Sequence, residues 1–249
     1  MEFTNVYGDA KRAESYAKLE FPGTYYLAFR DLPEIVAEHV RGRRALDFGC
    51  GAGRSTRFLR RLGFEAIGID VSSDMIREAE QIDPAGDYRL VEEGDLAQFE
   101  AYSFNLVLSA FAFDNIPTAK KKVKNLRALE RLLKEEGKVV NLVSSPDIYK
   151  NEWASFTTKA FPENLAAKNG DRVRIVMMDV DDRRPVEDII WYDDDYQDVF
   201  SKAGLRSIEA YRPLGKEHEP YVWVNETRIP PWVIYVLGRT NEIRSRRMH

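Results

Sequence analysis

The sequence predicts an α/β fold, a mostly parallel sheet covered by helices on both faces. Three observations carry this expectation. Short strand candidates alternate with helix candidates at the spacing of crossover units. The strand candidates are continuous apolar runs, as expected for strands buried on both faces. Glycine or acidic residues follow the first strands, at the edge where open α/β sheets bind ligands.

Two helices are predicted first, over 9–19 and 25–40, separated by Pro22 and Gly23. The second brings Leu32, Ile35, Val36 and Val40 close to helical spacing. A first strand over 43–48 runs into Gly49, Cys50, Gly51, Ala52 and Gly53. A helix over 54–62 follows, with Gly63 as its stop. The second strand is 65–70, and Ser72 or Ser73 can cap a helix over 73–81. Strands over 88–93 and 104–111 come next. Thr118 can cap a helix over 119–135 with Val123, Leu126, Leu129 and Leu133 on one stripe. Gly137 is expected to end that helix, ahead of a fifth strand over 138–144.

The alternation stops at Pro146. Residues 172–179 and 186–192 read as an antiparallel hairpin, so 146–192 is expected to be an insertion or lid rather than a second domain. The pattern resumes with a helix over 194–203, capped by one of Asp193, Asp194 and Asp195, and with strands over 205–212 and 233–239. The expectation is one domain over 1–249, with an N-terminal helical cap over 1–40 and a basic, frayed tail over 239–249.

Composition narrows the function. The chain has 249 residues, 44% of them hydrophobic, enough for a large core. Its 37 basic and 41 acidic residues give a net charge of −4, without the broad basic face that nucleic acid favours. The run Lys120, Lys121, Lys122 and Lys124 is expected on the solvated face of its helix. One cysteine, Cys50, excludes an intrachain disulfide and a cysteine metal cluster, and suggests a reducing cytoplasm. The histidines, His39, His218 and His249, stand far apart, so no metal site is expected. No run of 18 apolar residues is present, nor is an apolar stretch behind a basic start, so neither a membrane span nor a secretory signal is expected.

The strongest motif spans Leu46 to Arg54. A glycine-rich turn after a first strand lets a ligand approach the backbone, and the helix beyond offers free amides to an anion. Asp70 ends the second strand 21 residues after Gly49, where an acid can accept from ribose hydroxyls. Glu93, Gly94 and Asp95 follow the third strand, and Ser109 to Asn115 follow the fourth. The glycines at 49, 51 and 53 lack the spacing of the dinucleotide fingerprint, and Asp47 would repel a pyrophosphate. A ligand with an ammonium, a carboxylate and an adenosine fits better, and S-adenosylmethionine has all three.

On these residues the chain resembles the class I, Rossmann-like S-adenosylmethionine-dependent methyltransferases. Leu46 to Gly53 resembles their nucleotide loop, Gly68 to Met75 their ribose segment, and Gly94 to Leu96 their adenine position. The resemblance covers about 40–145 well, and 193–239 in topology. It implies a seven-stranded sheet and S-adenosylmethionine as cofactor. It implies Asp47, Gly49 and Gly51 around the methionine part, Asp70 on the ribose, Met75 or Val71 against adenine, Asp95 and Leu96 at the adenine edge, and Ser109 near the methyl. Residues 6–16 resemble the helix that covers the cofactor in small-molecule members. Tyr16, with Tyr7, either hydrogen-bonds cofactor or acceptor or packs in an amphipathic helix.

Two readings stand for Asp114: a base or orienting group at the methyl, or a turn residue. His218 is either a second candidate or a surface histidine. Aromatic residues of the insertion (Tyr149, Trp153, Phe156, Phe161, Trp191) and of the last connection (Tyr221, Trp223, Trp232) either roof a small substrate or form a subsidiary core or dimer contact. The expected activity is methyl transfer to a nitrogen or oxygen of a small molecule, by a monomer or homodimer without nucleic-acid or membrane partners. Methylation of RNA or protein, and cofactor binding without catalysis, are the alternatives.

Overall fold

The computed structural model describes residues 21–240. The expected helix over 9–19, Tyr7, Tyr16 and the tail beyond Thr240 lie outside the described residues.

The described chain opens with α1 (Thr24–Arg30) and α2 (Leu32–His39). They replace the single helix expected over 25–40. Asp31 ends one and starts the other, and Pro33 sits in the first turn of α2, where its missing N–H costs nothing. Then follow β1 (Arg44–Phe48), α3 (Arg54–Arg61), β2 (Glu65–Asp70), α4 (Ser73–Ile82), β3 (Asp87–Leu90) and β4 (Phe104–Ala110). After a 3-10 turn over Ala112–Asn115 come α5 (Ala119–Leu132) and β5 (Leu133–Ser144). The insertion carries β6 (Phe156–Thr157), β7 (Arg172–Met177) and β8 (Val186–Ile189). The chain closes with α6 (Asp193–Lys202), β9 (Leu205–Tyr211) and β10 (Trp232–Arg239).

The main sheet has seven strands in the order β3-β2-β1-β4-β5-β10-β9. The first five are parallel, and β10 runs antiparallel to both neighbours. The mostly parallel, helix-flanked sheet expected from the alternation is therefore present. The insertion forms a second, antiparallel sheet, β6-β7-β8, one short strand more than the expected hairpin.

Both faces of the main sheet are buried. Leu106, Leu108, Val140 and Ile234 meet α1, α2 and the insertion. Val107, Val139, Val143 and Tyr235 meet Leu126 and Leu129 of α5 and Val199 and Phe200 of α6. Ser72 caps α4 by accepting from Met75 N–H, and Thr118 caps α5 by accepting from Lys121 N–H.

Several local expectations change. α5 stops at Leu132, and Gly137 lies inside β5, in the stretch where its register shifts against β4. Lys122 is fully buried, unlike Lys120, Lys121 and Lys124. Tyr192, not an aspartate, precedes α6, and no side chain caps that helix. Asp193, Asp194 and Asp195 instead fill its first turn, where they favour the helix dipole. β3 ends at Leu90; Val91 N–H still bonds Asp70 O, and the chain then turns through Glu92 to Asp95.

Candidate active site

A cleft of about 370 Å³ lies beyond the carboxyl ends of β1, β2, β3 and β4. Its floor is the turn from Phe48 to Ala52, and it is lined by Asp70, Val71 and Met75 on one side and by Val91 to Gly94 and Leu96 on the next. Tyr25 and Phe29 of α1 cover it, and Phe111, Asn115 and Lys121 close its far wall.

The glycines of the floor differ in what they permit. Gly49 has φ +72, and a Cβ there would stand 2.4 Å from Ala112 Cβ. Gly51 has φ +53, and its Cβ would meet only Met75 Sδ, at 3.9 Å. Gly49 is thus required by packing, whereas Gly51 leaves space on the cleft side. Gly53, in the left-handed conformation, turns the chain into α3.

Asp70 holds the floor from the side. Its Oδ2 accepts from Gly51 N–H at 2.9 Å and its Oδ1 from Ser72 N–H at 2.9 Å. The carboxylate, which also draws the Val71 N–H, lines the cleft. Burial raises its pKa, and these backbone donors oppose the rise.

Asp47 lies beneath the floor and not along the cleft wall. Its Oδ2 accepts from Ser55 Oγ and Thr56 Oγ1, both at 2.6 Å, which ties β1 to the first turn of α3. Oδ1 has no hydrogen-bond partner among the described residues. Burial pushes this carboxyl up to about 6, against the pull of the two hydroxyls.

Of the other expected cofactor residues, Val71, Met75 and Leu96 line the cleft. Asp95 is exposed, accepts from Ala97 N–H at 2.9 Å, and does not line it. Ser109 is fully buried behind the wall. His218 is exposed on the last connection and lines neither this cleft nor the smaller cavity beside it.

Arg54 joins the expected residues at the cleft, and its place directly after the glycine turn is a signal the sequence carries. Its guanidinium lines the cleft and lies 4.9 to 5.4 Å from the ring centroids of Phe21, Tyr25 and Phe29.

The smaller cavity, about 40 Å³, shares Tyr25, Phe111 and Asn115 with the cleft. Asp114 lies here, in the turn after β4, 4% exposed, accepting from Ser144 N–H at 3.0 Å. Its neighbours carry no local signal in the sequence. Asp188 of β8 accepts from Tyr149 OH at 3.1 Å, and Lys122 Nζ donates to the carbonyl of Phe113, the residue before Asp114. Burial pushes the Asp114 carboxyl up, helped by Asp188, and pulls the Lys122 ammonium down.

Phe111, where the two spaces meet, has φ 64, rare for an aromatic residue. The roof is pinned by Glu226, which is fully buried. One oxygen accepts from Thr24 Oγ1 and Ala154 N–H, both at 2.7 Å, and the other from Val224 and Asn225 N–H. α1, the insertion and the last connection thus meet at one carboxylate. The group Glu38, His39 and Glu209, with exposed glutamates, a part-buried histidine and ligand atoms within 4.8 Å of one another, lines neither space.

Residues 46–141 match the methyltransferase domain family. Over 104 residues the chain is 31% identical to a ubiquinone biosynthesis O-methyltransferase of Xanthomonas oryzae pv. oryzae, covering 40% of this chain and 42% of that protein. An uncharacterized methyltransferase of Bacillus licheniformis is 29% identical over 145 residues, 56% of this chain and 65% of its own. The aligned part thus spans about two fifths of the ubiquinone enzyme's length. Among solved structures, the CcbJ methyltransferase from Streptomyces caelestis superposes with a TM-score of 0.65 at 18% identity, over 96% of this chain and 99% of that one. An S-adenosylmethionine-dependent methyltransferase from Clostridium acetobutylicum gives 0.59 at 14% identity, over 90% and 94%. The chain carries the class I, Rossmann-like S-adenosylmethionine-dependent methyltransferase fold.

Proposed function

We propose, from this fold and cleft, that the chain is an S-adenosylmethionine-dependent methyltransferase acting on a nitrogen or oxygen of a small molecule. The observation that carries the reading is the cleft at the ends of β1 to β4, open at Gly51, flanked by Asp70 and roofed by Tyr25 and Phe29.

The residues present fit the cofactor. The space at Gly51 admits a ligand against the backbone. Asp70 has a carboxylate for the ribose hydroxyls. Val71, Met75 and Leu96 offer apolar surface to adenine, Arg54 a cation to the amino-acid carboxylate, and Asp47 negative potential beneath the floor to the ammonium. When bound, the cofactor supplies an activated methyl on a sulfonium. The protein's part is alignment, exclusion of water and control of the acceptor's proton. Tyr16 remains a proposed cover for the cofactor, and Ser109, Asp95 and His218 would act from behind or outside the cleft.

Roofing by aromatic residues suits a small acceptor better than a phosphate track. The ubiquinone enzyme's name points the same way. Calorimetric titration with S-adenosylmethionine, S-adenosylhomocysteine and NAD tests the cofactor. Methyl incorporation from labelled cofactor into metabolites, and into bulk RNA and protein at rising salt, tests the acceptor. Tight NAD binding without an S-adenosylmethionine signal overturns the first part, and salt-sensitive methylation of RNA alone overturns the second.

A further inference from the structure

The backbone at Phe111 is unusual for the residue it carries. Its φ is 64 and its ψ −2, the left-handed region, where any side chain beyond glycine meets a steric cost. The turn itself is fixed by main-chain bonds. Phe111 N–H donates to Leu142 O at 2.8 Å, and Phe111 O accepts from Asp114 N–H at 3.2 Å. Glycine would keep both bonds without that cost. What phenylalanine adds is a ring. Strain of this kind persists where the surroundings over-determine it, and it gathers at ligand sites.

The place of the ring gives it a task. The cleft and the smaller cavity share Tyr25, Phe111 and Asn115. Two of these side chains are tethered by hydrogen bonds. Tyr25 OH donates to Met177 Sδ at 3.7 Å, and Asn115 Nδ2 donates to Phe111 O at 3.5 Å. The Phe111 ring is held by packing, edge to face on Tyr25 at 5.7 Å and tilted on Trp232 at 4.8 Å between centroids. Beyond it, the cavity of about 40 Å³ has room for roughly three water-sized bodies. Met177, Val186 and Trp232 give it apolar walls, and Asp114 and Ser144 polar ones. A molecule whose reacting atom lies in the cleft reaches this space only past the ring.

We propose that Phe111 is a specificity-determining residue of the acceptor site: its ring, carried on a left-handed backbone, limits the part of the acceptor that enters the smaller cavity to an unbranched head of roughly three non-hydrogen atoms or fewer. The inference rests on the methyltransferase reading and deepens it: acceptors are sorted by the width of the group that lies beyond Phe111. A phenyl group directed there collides with the ring, so broader ends stay in the cleft. With the ring removed, cleft and cavity join into one space. The cost of the left-handed conformation is thus set against selectivity rather than against packing alone.

Two methionine methyl groups report the two spaces, Met75 in the cleft and Met177 in the smaller cavity. The test follows both by NMR in protein with isotope-labelled methionine methyls, titrated with ethanol and with benzyl alcohol at saturating S-adenosylhomocysteine. In the unaltered protein, ethanol should shift the Met177 methyl and benzyl alcohol should leave it in place. In Phe111→Gly, benzyl alcohol should shift it, with an affinity raised roughly tenfold or more. Phe111→Leu, which keeps an apolar side chain, should fall between the two. Benzyl alcohol that reaches Met177 in the unaltered protein overturns the proposal, a comparison that depends on no variant folding. So does ethanol that leaves Met177 unmoved, or a folded Phe111→Gly that still excludes benzyl alcohol. The Met75 methyl is read separately: no response there to S-adenosylhomocysteine removes the methyltransferase reading, whereas loss of size selection at Met177 with Met75 shifted removes only the role of Phe111.

Discussion

Asp70 Oδ2 accepts the backbone N–H of Gly51 at 2.9 Å, joining the turn after β1 to the end of β2 as one hydrogen-bonded unit. The same acid both shapes the cleft floor and lines the cleft for a ligand. Asp70→Ala should therefore weaken S-adenosylhomocysteine binding by roughly ten- to a hundredfold, the equivalent of about 1.5–3 kcal/mol. Calorimetry on the folded variant checks it; unchanged affinity would remove Asp70 from the ligand site.

Gly49 and Gly51 should respond differently to the same substitution. Gly49→Ala places a methyl against Ala112 and should lower stability by about 2 kcal/mol or more. Gly51→Ala meets space, so its stability loss should stay near the roughly 1 kcal/mol of a left-handed alanine while cofactor affinity falls. Urea denaturation and cofactor titration on both variants separate the two effects.

Asp47 gives a signed pH prediction for the cofactor-free protein. Its carboxyl holds its proton up to about pH 6 when folded, against 3.8 as the ordinary value. The folded state therefore binds the proton more tightly, and this contribution to stability is lost as pH rises from about 4 to about 6. Asp47→Asn lacks that loss. The stability of wild type relative to the variant should fall by roughly 2–3 kcal/mol between pH 4 and pH 7.5 in denaturant titrations. A difference independent of pH would contradict the assigned burial effect.

Glu226 should govern the roof. Glu226→Ala leaves the Thr24 hydroxyl and the N–H groups of Ala154, Val224 and Asn225 without their acceptor. A loss of about 3 kcal/mol or more is expected. Hydrogen exchange should rise first in α1 and around Ala154. Uniform change across the sheet, with no local opening, would argue against a clasp.

The legible parts of this protein were those written in local sequence. β2 and its neighbours follow from apolar runs closed by glycine or acid, and the helix starts at Ser72 and Thr118 from their capping side chains. Gly51, Asp70, Val71, Met75 and Leu96 could be gathered because each follows a strand end. Long-range contacts were not legible. Tyr149 and Asp188 are 39 residues apart and meet only because the insertion folds back on itself. Glu226 stands in a connection with no periodicity, and its partners come from three segments. Lys122 was misjudged for a related reason: three exposed lysines around it made one amphipathic pattern, while the buried acid beside it came from elsewhere. Gly137 resembled a helix stop because nothing local announces the irregular pairing of β4 with β5.

Trp232, 2% exposed, stacks on Tyr25 with ring centroids 5.7 Å apart, at the edge of the inner cavity. An indole so shielded from water emits toward the blue, and a phenol at that distance passes its excitation to it efficiently. A guest seated among these rings changes both the polarity around the indole and the donor beside it. This wall is thus also an optical reporter. Excited at the tyrosine band and compared with Trp232→Phe, its emission should follow occupancy of the cavity in real time, without a label or a coupled assay.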